Sequence, residues 1–445
     1  MTIDLILQRF QRFGVHLGLE RIQTLLADLG HPEHKVPIIH VAGTNGKGSV
    51  CAYLSSILTA AGYRVGRYIS PHLIDWTERI CINEQPISTT DLEQVLLDVV
   101  AAINPDIPSP TQFEVITAAA WLYFAQQQVD IAVMEVGLGG RLDATNVCDR
   151  PLVSVIVSIS REHWQRLGPT VADIAREKAG VLKANCPAVI GNLPPEAKAV
   201  VEQRINELNC PTVWVKAATP TTQKTPSGLA TAIYKDIEEE EIEYPLPLLG
   251  EVQLLNSAMA IATIKILEHQ GWQISAPAIQ QGMAKTRWLG RLQWTNWRNH
   301  PLLVDGAHNP AAAQVLRQYI DNVAIQDWDN THRHDSSSTD SKPTTWVMGM
   351  LSTKDHADIF KVLLRSGDQL YIVPVPDHSS AEPEQLVTLS RQICPDLAVS
   401  QAYPNLITGL EAVFSSSASS NLVVLCGSLY LVGYFLSLQH STASF

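Results

Sequence analysis

The sequence has no run of lysines and arginines, no cysteines spaced to grip a metal, no export signal at its start and no short internal repeat. Each absence excludes something. With 32 Lys and Arg against 44 Asp and Glu, the net charge is −12 and no basic block offsets it, which argues against a nucleic-acid partner. Such a chain binds anions only where local structure builds a site for them. The seven cysteines (Cys51, Cys81, Cys148, Cys186, Cys210, Cys394 and Cys426) show no CxxC spacing and sit mostly in apolar contexts. They read as buried, reduced thiols of a cytosolic protein. The opening MTIDLILQRFQRFG has neither a basic n-region nor a long apolar core. One stretch, residues 422–438, is apolar enough to raise the question of a membrane. Gly427-Ser428 breaks it into a short strand and the start of a helix, and no basic flank follows, so it reads as core and no membrane partner is expected.

What is present is a globular composition, 46% hydrophobic and 17% charged. A chain of 445 residues is too long for one core, which predicts two domains. The densest chemical signal is HVAGTNGKGSV, His40 to Val50. It reads as a strand, a glycine-rich loop and the start of a helix. Gly43 to Ser49 holds three glycines, a lysine and two hydroxyls. Bare backbone N–H groups, a helix N-terminus and a point charge together suit a polyphosphate. The strict P-loop pattern is not met, because Gly48 separates Lys47 from Ser49 and Val41 stands where the first glycine belongs.

Around this loop, short apolar strands alternate with helices. Strands are expected at 36–41, 64–70, 129–134 and 152–159, with helices at 49–61, 91–103, 111–128, 170–178 and 256–270. Strands apolar throughout indicate a parallel sheet covered on both faces, and such sheets bind ligands beyond the carboxyl ends of their strands. The loop, Ser70, Glu135 and His163 all fall at such ends. Residues 217–245, with the acidic run Asp236 to Glu241, read as a solvated hairpin or loop. GMAKTRWLGR, Gly282 to Arg291, reads as a connecting segment, after which strand, turn and helix restart around DGAHNP, Asp305 to Pro310. The expected division is a P-loop ATPase domain over 1–287, a linker over 288–294 and a smaller α/β domain over 295–445. Residues 327–344 are polar and of low complexity and read as a disordered insertion.

The chemistry these residues could run follows from charge. A nucleoside triphosphate needs its terminal oxygens neutralised, by Lys47 and a divalent cation. Mg²⁺ prefers hard oxygen ligands, and Glu135, ending an apolar strand, is the best protein donor. Ser70 adds a hydroxyl, and His163 is an unusual Mg²⁺ ligand. For each a structural reading stands beside the functional one: a strand-end carboxylate, a turn before Pro71, a capping histidine. Lys178 alone reads as a solvated helix lysine, and Asp305 and His308 as parts of a turn.

Taken in order, GTNGKGS, YISPHL, TQFE, MEVGLGGRLDATN, EKAG, WLGR, DGAHNP and GMLSTKD resemble the motifs of folylpolyglutamate synthase and dihydrofolate synthase, within the Mur-ligase-like amide ligases. The resemblance runs from about Leu17 to Gly433. Gly48 itself favours the folate ligases over the Mur enzymes. The resemblance implies an N-terminal P-loop ATPase domain and a C-terminal Rossmann-like domain with ATP between them, in a cytoplasmic monomer. It implies activation of a pterin carboxylate by ATP as an acyl phosphate, then attack by L-glutamate to give ADP and phosphate. Asn45, Gly46, Lys47, Gly48, Ser49, Asn256, Arg291 and Asp305 would bind ATP; Ser70, Glu135 and His163 would bind Mg²⁺. Lys178 falls on a lysine carbamylated in the family, implying CO₂ or bicarbonate as a reactant. Lys47, Lys178 and His308 are the implied catalytic residues. The pterin site is implied at His16, Leu17, Gly18, Thr111, Gln112, Phe113, Glu114, Leu142, Asp143 and Ala144, and the glutamate side at His308 and Ser428. The chain departs from the usual family residues at His16, at Glu162 before His163 and at Val252 before Gln253. A Mur-type ligase and a non-catalytic P-loop regulator are the alternatives; dihydrofolate synthesis, polyglutamate extension or both remain open.

Overall fold

The computed structural model describes residues 2–11, 17–106, 108–236, 238–324, 343–415 and 421–442. His16 and residues 327–342 of the expected insertion lie outside them. The chain forms two compact units, 1–247 with 252–287, and 248–251 with 288–445.

The first unit is built on an eight-stranded sheet: β1 (Ile38–Ala42), β2 (Val65–Tyr68), β3 (Ile80–Ile82), β4 (Gln85–Pro86), β5 (Ile131–Glu135), β6 (Val153–Ile156), β7 (Ala188–Ile190) and β8 (Thr212–Trp214). Their order is β4-β3-β2-β5-β1-β6-β7-β8, parallel from β2 to β8, with β3 and β4 added antiparallel at one edge. Every residue of β1, β2, β5 and β6 is buried, as expected for strands covered on both faces. The helices Ile3–Gln11, Glu20–Asp28, Thr89–Ala102 and Gln112–Gln126 cover one side through Leu7, Ile22, Leu26, Leu96 and Trp121. The helix Lys47–Ala60 has almost no polar face because it is enclosed on all sides, by the sheet and by the helices Val252–His269 and Ala276–Lys285. Gly282 makes the last contact possible: a Cβ there would stand 2.4 Å from Ile57 Cα, and Ser56 Oγ donates to its carbonyl at 2.7 Å.

Gly282 belongs to a packed helix and not to a connecting segment, because its apolar neighbours Ile279 and Met283 are buried. Residues 217–245 form an antiparallel sheet, β9 (Thr219–Lys224), β10 (Ala230–Lys235) and β11 (Glu241–Leu246), in the order β11-β10-β9. Tyr234 and Tyr244 are buried in it, and Tyr244 shares a hydrogen bond with Ser257 at 2.8 Å. Glu238 to Glu241 are exposed as expected, whereas the Asp236 side chain is enclosed and accepts from Glu238 N–H and Glu240 N–H, both at 2.9 Å.

The second unit holds a six-stranded sheet: β12 (Gln293–Trp297), β13 (His300–Val304), β14 (Thr344–Met348), β15 (Gln369–Ile372), β16 (Val399–Ala402) and β17 (Leu422–Cys426). The order is β12-β13-β17-β14-β15-β16, with only β12 antiparallel. Gln293 and Trp294, assigned above to a linker, open β12, and Thr344, assigned to the insertion, opens β14. Residues 422–438 resolve into β17 and the helix Leu429–Thr442, both in the core. Among the described residues, no helix is long and apolar enough to cross a membrane.

Candidate active site

Strand order explains why residues far apart in sequence share one edge. β1 lies between β5 and β6, with Val41 opposite Glu135 and Ala42 opposite Ile156. β2 lies beyond β5, with Tyr68 opposite Met134. Ser70, Glu135, the loop Gly43–Gly46 and the segment 158–163 therefore all emerge at the carboxyl edge of four neighbouring strands.

The loop is held open by the segment that follows β6. Thr44 N–H donates to Ser158 O at 2.7 Å, Asn45 N–H to Ser158 Oγ at 3.0 Å, and Ser160 N–H to Thr44 Oγ1 at 3.0 Å. Gly46 precedes the helix Lys47–Ala60 with φ of 86°, in the left-handed region. A Cβ there would stand 2.7 Å from Asn256 Oδ1 and 2.9 Å from Val157 Cγ1, so glycine is needed for conformation and for space. Ser49 lies in the first turn of the helix and is buried; Gln253 Nε2 donates to its hydroxyl at 3.4 Å, and Asn256 Nδ2 donates to Gln253 Oε1 at 3.2 Å. Asn256 thus backs the loop directly. Lys47 Nζ donates to Thr44 O at 3.2 Å and lies 3.8 Å from Glu135 Oε1.

The donors fit a hard divalent cation. Ser70 Oγ is buried and has no hydrogen-bond partner, an arrangement that a metal ion or its bound water would satisfy. Glu135 is buried at the end of β5. His163 starts a short helix, Trp164–Leu167, with its side chain half exposed and Nε2 4.0 Å from Glu162 Oε1.

Lys178 is not a solvated lysine. It is buried, and its Nζ donates to Gly43 O at 2.7 Å. Burial, and then the neighbouring charge of Lys47, lower its pKa from 10.5 to about 7, against the opposing pull of Glu162 and Asp143. The loop 137–146 packs on its helix, Val171–Ala179. A Cβ on Gly140 would meet Glu177 O at 2.8 Å, and Asn146 Nδ2 donates to Gly180 O at 3.1 Å.

The residues assigned to the pterin divide in two. Thr111 and Glu114 are committed to a capping box at the start of the helix Gln112–Gln126: Glu114 Oε2 accepts from Thr111 N–H at 2.7 Å, and Arg21 Nε reaches the same oxygen at 3.1 Å. Gln112 Nε2 lies 3.4 Å from Leu7 O. Phe113 lies against Gly137, where a Cβ would be 2.4 Å from its ring. Asp143 folds its own loop, accepting from Leu138 N–H at 2.8 Å and from Thr145 Oγ1 at 2.6 Å, beside Leu142 and the buried Ala144. Leu142 O accepts from Gly18 N–H at 3.4 Å, which brings the segment at Leu17 and Gly18 to this loop.

In the second unit, β13 and β17 are parallel neighbours, so DGAHNP and Gly427-Ser428 leave the sheet together. Asp305 Oδ2 accepts from Leu292 N–H and Oδ1 from Ala307 N–H, both at 2.8 Å. Burial raises its pKa, while Arg291 draws it down. His308 Nδ1 lies 2.7 Å from Gly306 O, and Asn309 caps the helix Pro310–Tyr319. Ser428 Oγ accepts from Tyr430 N–H at 3.2 Å.

Comparison with known proteins decides the family. Residues 41–264 match the Mur ligase middle domain and residues 290–438 the C-terminal domain of dihydrofolate synthetase. A probable dihydrofolate synthetase of Schizosaccharomyces pombe is 33% identical over 438 residues, covering 94% of this chain and 97% of the relative. The chain belongs to the dihydrofolate synthase/folylpolyglutamate synthase family. A folylpolyglutamate synthase of Lacticaseibacillus casei is 36% identical over 84% of this chain and 85% of its own. The crystal structure of Mycobacterium tuberculosis folylpolyglutamate synthase complexed with ADP and AMPPCP superposes with a TM-score of 0.83 at 29% identity, covering 98% of each chain.

Within this family frame, sequence reasoning missed three things. The Thr44–Ser158–Ser160 clamp had only the weak signal of serines after an apolar strand. Glu162 was noted only as a departure before His163, yet with Asp143 it is one of the two carboxylates whose charge acts on Lys178. His40, buried in β1, had no signal: its Nε2 lies 2.9 Å from Thr145 Oγ1, which in turn donates to Asp143.

Proposed function

We propose that this chain is an ATP-dependent ligase that adds L-glutamate to a folate-type carboxylate, dihydropteroate, a folate polyglutamate or both, giving ADP and phosphate. The observation that carries the proposal is the convergence of a phosphate loop, a partnerless buried Ser70 hydroxyl, Glu135 and the buried amine of Lys178 on one sheet edge, in a chain that spans nearly the whole of an ADP-bound relative.

The loop N–H groups at 45–49 and the Lys47 ammonium hold the triphosphate, and Asn256 fixes the nucleotide from behind the loop. Ser70, Glu135 and His163 would hold Mg²⁺, which when bound would neutralise charge on the terminal phosphate oxygens. The acceptor carboxylate oxygen attacks the γ-phosphorus, ADP departs, and an acyl phosphate remains. The glutamate amine then attacks the acyl carbon, loses a proton, and phosphate leaves. The protein contributes position and a prearranged field. The pterin is assigned to Phe113, Leu142, Leu17 and Gly18, at the loop that the buried Asp143 and Ala144 build; Thr111 and Glu114 shape it through the helix start. Arg291 and Asp305 are assigned to the nucleotide, His308 and Ser428 to glutamate. His308 Nδ1–H donates a hydrogen bond to Gly306 O, which fixes the ring at the turn where glutamate is assigned. Lys178 is assigned as a carbamate: its neutral amine adds to CO₂ and releases one proton, which leaves an anion beside Lys47.

The test is ADP release by the purified protein with L-glutamate and either dihydropteroate or tetrahydrofolate. Stimulation by one or both identifies the acceptor; stimulation by neither rejects the proposal.

A further inference from the structure

Residues 31–35 precede β1, so they lie at the opposite end of that strand from the phosphate loop. Here Pro32–Lys35 forms a single 3-10 turn led by His31. His31 Nδ1 lies 3.0 Å and His34 Nε2 3.6 Å from one oxygen, Glu33 Oε1. The two imidazoles stack with centroids 4.8 Å apart and planes 7° apart. Glu33 is buried, and its other oxygen, Oε2, has no hydrogen-bond partner. Among the described residues this is the one group of three His, Cys, Asp or Glu side chains whose ligand atoms all lie within 4.8 Å of one another.

We infer that His31, Glu33 and His34 form a second metal site, for a late first-row divalent cation such as Zn²⁺, separate from the Mg²⁺ site of the proposed reaction. Bonds of about 2.0–2.2 Å in a tetrahedron place ligand atoms roughly 3.3 Å apart, and the two nitrogen–oxygen separations bracket that value. Two imidazoles and a carboxylate are a common donor set of Zn²⁺, whereas Mg²⁺ prefers an octahedron made mostly of oxygens. A simple His31–Glu33 hydrogen bond satisfies Oε1 but leaves the buried Oε2 bare, with His34 Nε2 at a longer 3.6 Å from Oε1. To hold a cation, the stacked, half-exposed rings turn so that both in-plane lone pairs meet it beside the carboxylate, and a fourth position is left for water. Both imidazoles are at least half exposed, so the ion has a path in. Since only the folded turn assembles the ligands, binding stabilises the fold.

The test uses the full chain, freed of metal by a chelator and held in excess MgCl₂. Zn²⁺ is titrated in competition with a chromogenic zinc chelator, and thermal melting is followed with and without Zn²⁺. The comparison is the double variant His31→Asn, His34→Gln. Asn tolerates the left-handed backbone of residue 31, with its φ of 54°, so the turn is kept while both ring ligands are lost. The expected result is one Zn²⁺ bound by the parent chain at least about tenfold more tightly than by the variant. A zinc-dependent rise in Tm is expected in the parent alone, with equal melting of the two proteins without zinc. Equal zinc affinity in both, or no zinc bound by the parent chain, overturns the inference.

Discussion

Lys178 is the residue whose chemistry depends most on its surroundings. A charged ammonium inside the fold, hydrogen-bonded to Gly43 O and facing Lys47, is disfavoured, so its pKa falls to about 7. The neutral, nucleophilic amine therefore grows as pH rises through 7, where an ordinary lysine would still be protonated. Assays in CO₂-depleted buffer are expected to show reduced ADP release, restored by bicarbonate and more readily at pH 8 than at pH 6. Lys178→Ala is expected to lower kcat by about a hundredfold or more, in line with loss of a preorganised charge; full activity in that variant removes the carbamate assignment. Gly46 is the second residue fixed by local physics. Gly46→Ala adds about 1–2 kcal/mol of left-handed backbone strain. It also places a Cβ 2.7 Å from Asn256 Oδ1. Fluorescent-nucleotide displacement is expected to read a loss of affinity of at least about tenfold.

At the scale of elements, the loop 137–146 is positioned from beneath by β1. His40 Nε2 meets Thr145 Oγ1, Thr145 donates to Asp143, and Asp143 receives Leu138 N–H. Burial, aided by Lys183, lowers the His40 pKa from 6.5 to about 3, so the imidazole is neutral in the fold. The unfolded chain protonates it first. Its contribution to stability is therefore whole above pH 6.5 and is lost progressively as pH falls from 6.5 toward 3. His40→Gln keeps a donor near Thr145 and cannot titrate. Urea midpoints measured across this window are expected to fall less steeply with acid in the variant than in the parent chain, although the variant starts from a lower midpoint at pH 7. Parallel slopes reject this account of the brace.

At the scale of the molecule, each compact unit has its own buried centre, one around Trp121 and Phe124, the other around Trp346 and Phe360. Such a chain does not satisfy the two-state approximation of a single small domain. Calorimetry is expected to give a total unfolding enthalpy larger than the van't Hoff value. Trp346→Ala, which costs about 3–5 kcal/mol by opening a cavity in the second core, is expected to lower the transition of residues 288–442 selectively. A single transition shifted as a whole by that variant contradicts the expectation.

The sequence by itself determined the pieces whose physics is local. The period and apolarity of β1, β5 and β6, the glycine-rich turn at Gly43 to Ser49, and the carboxylate ending VDIAVME were all readable. A parallel sheet must deliver its loops at one edge, so Ser70, Glu135 and His163 could be grouped before any coordinates. Element ends were less readable, because a helix such as Lys47–Ala60 begins where the left-handed Gly46 permits it and not where the apolar pattern starts. Only the tertiary structure decided what distant partners do to a side chain. It turned Lys178 from a solvated lysine into a buried amine held by a carbonyl 135 positions away. It committed Glu114 to a helix cap, placed Gly282 inside a helix crossing, and joined His40 to Asp143. Desolvation and close contact are properties of neighbours in space, and the local pattern along a chain does not carry them.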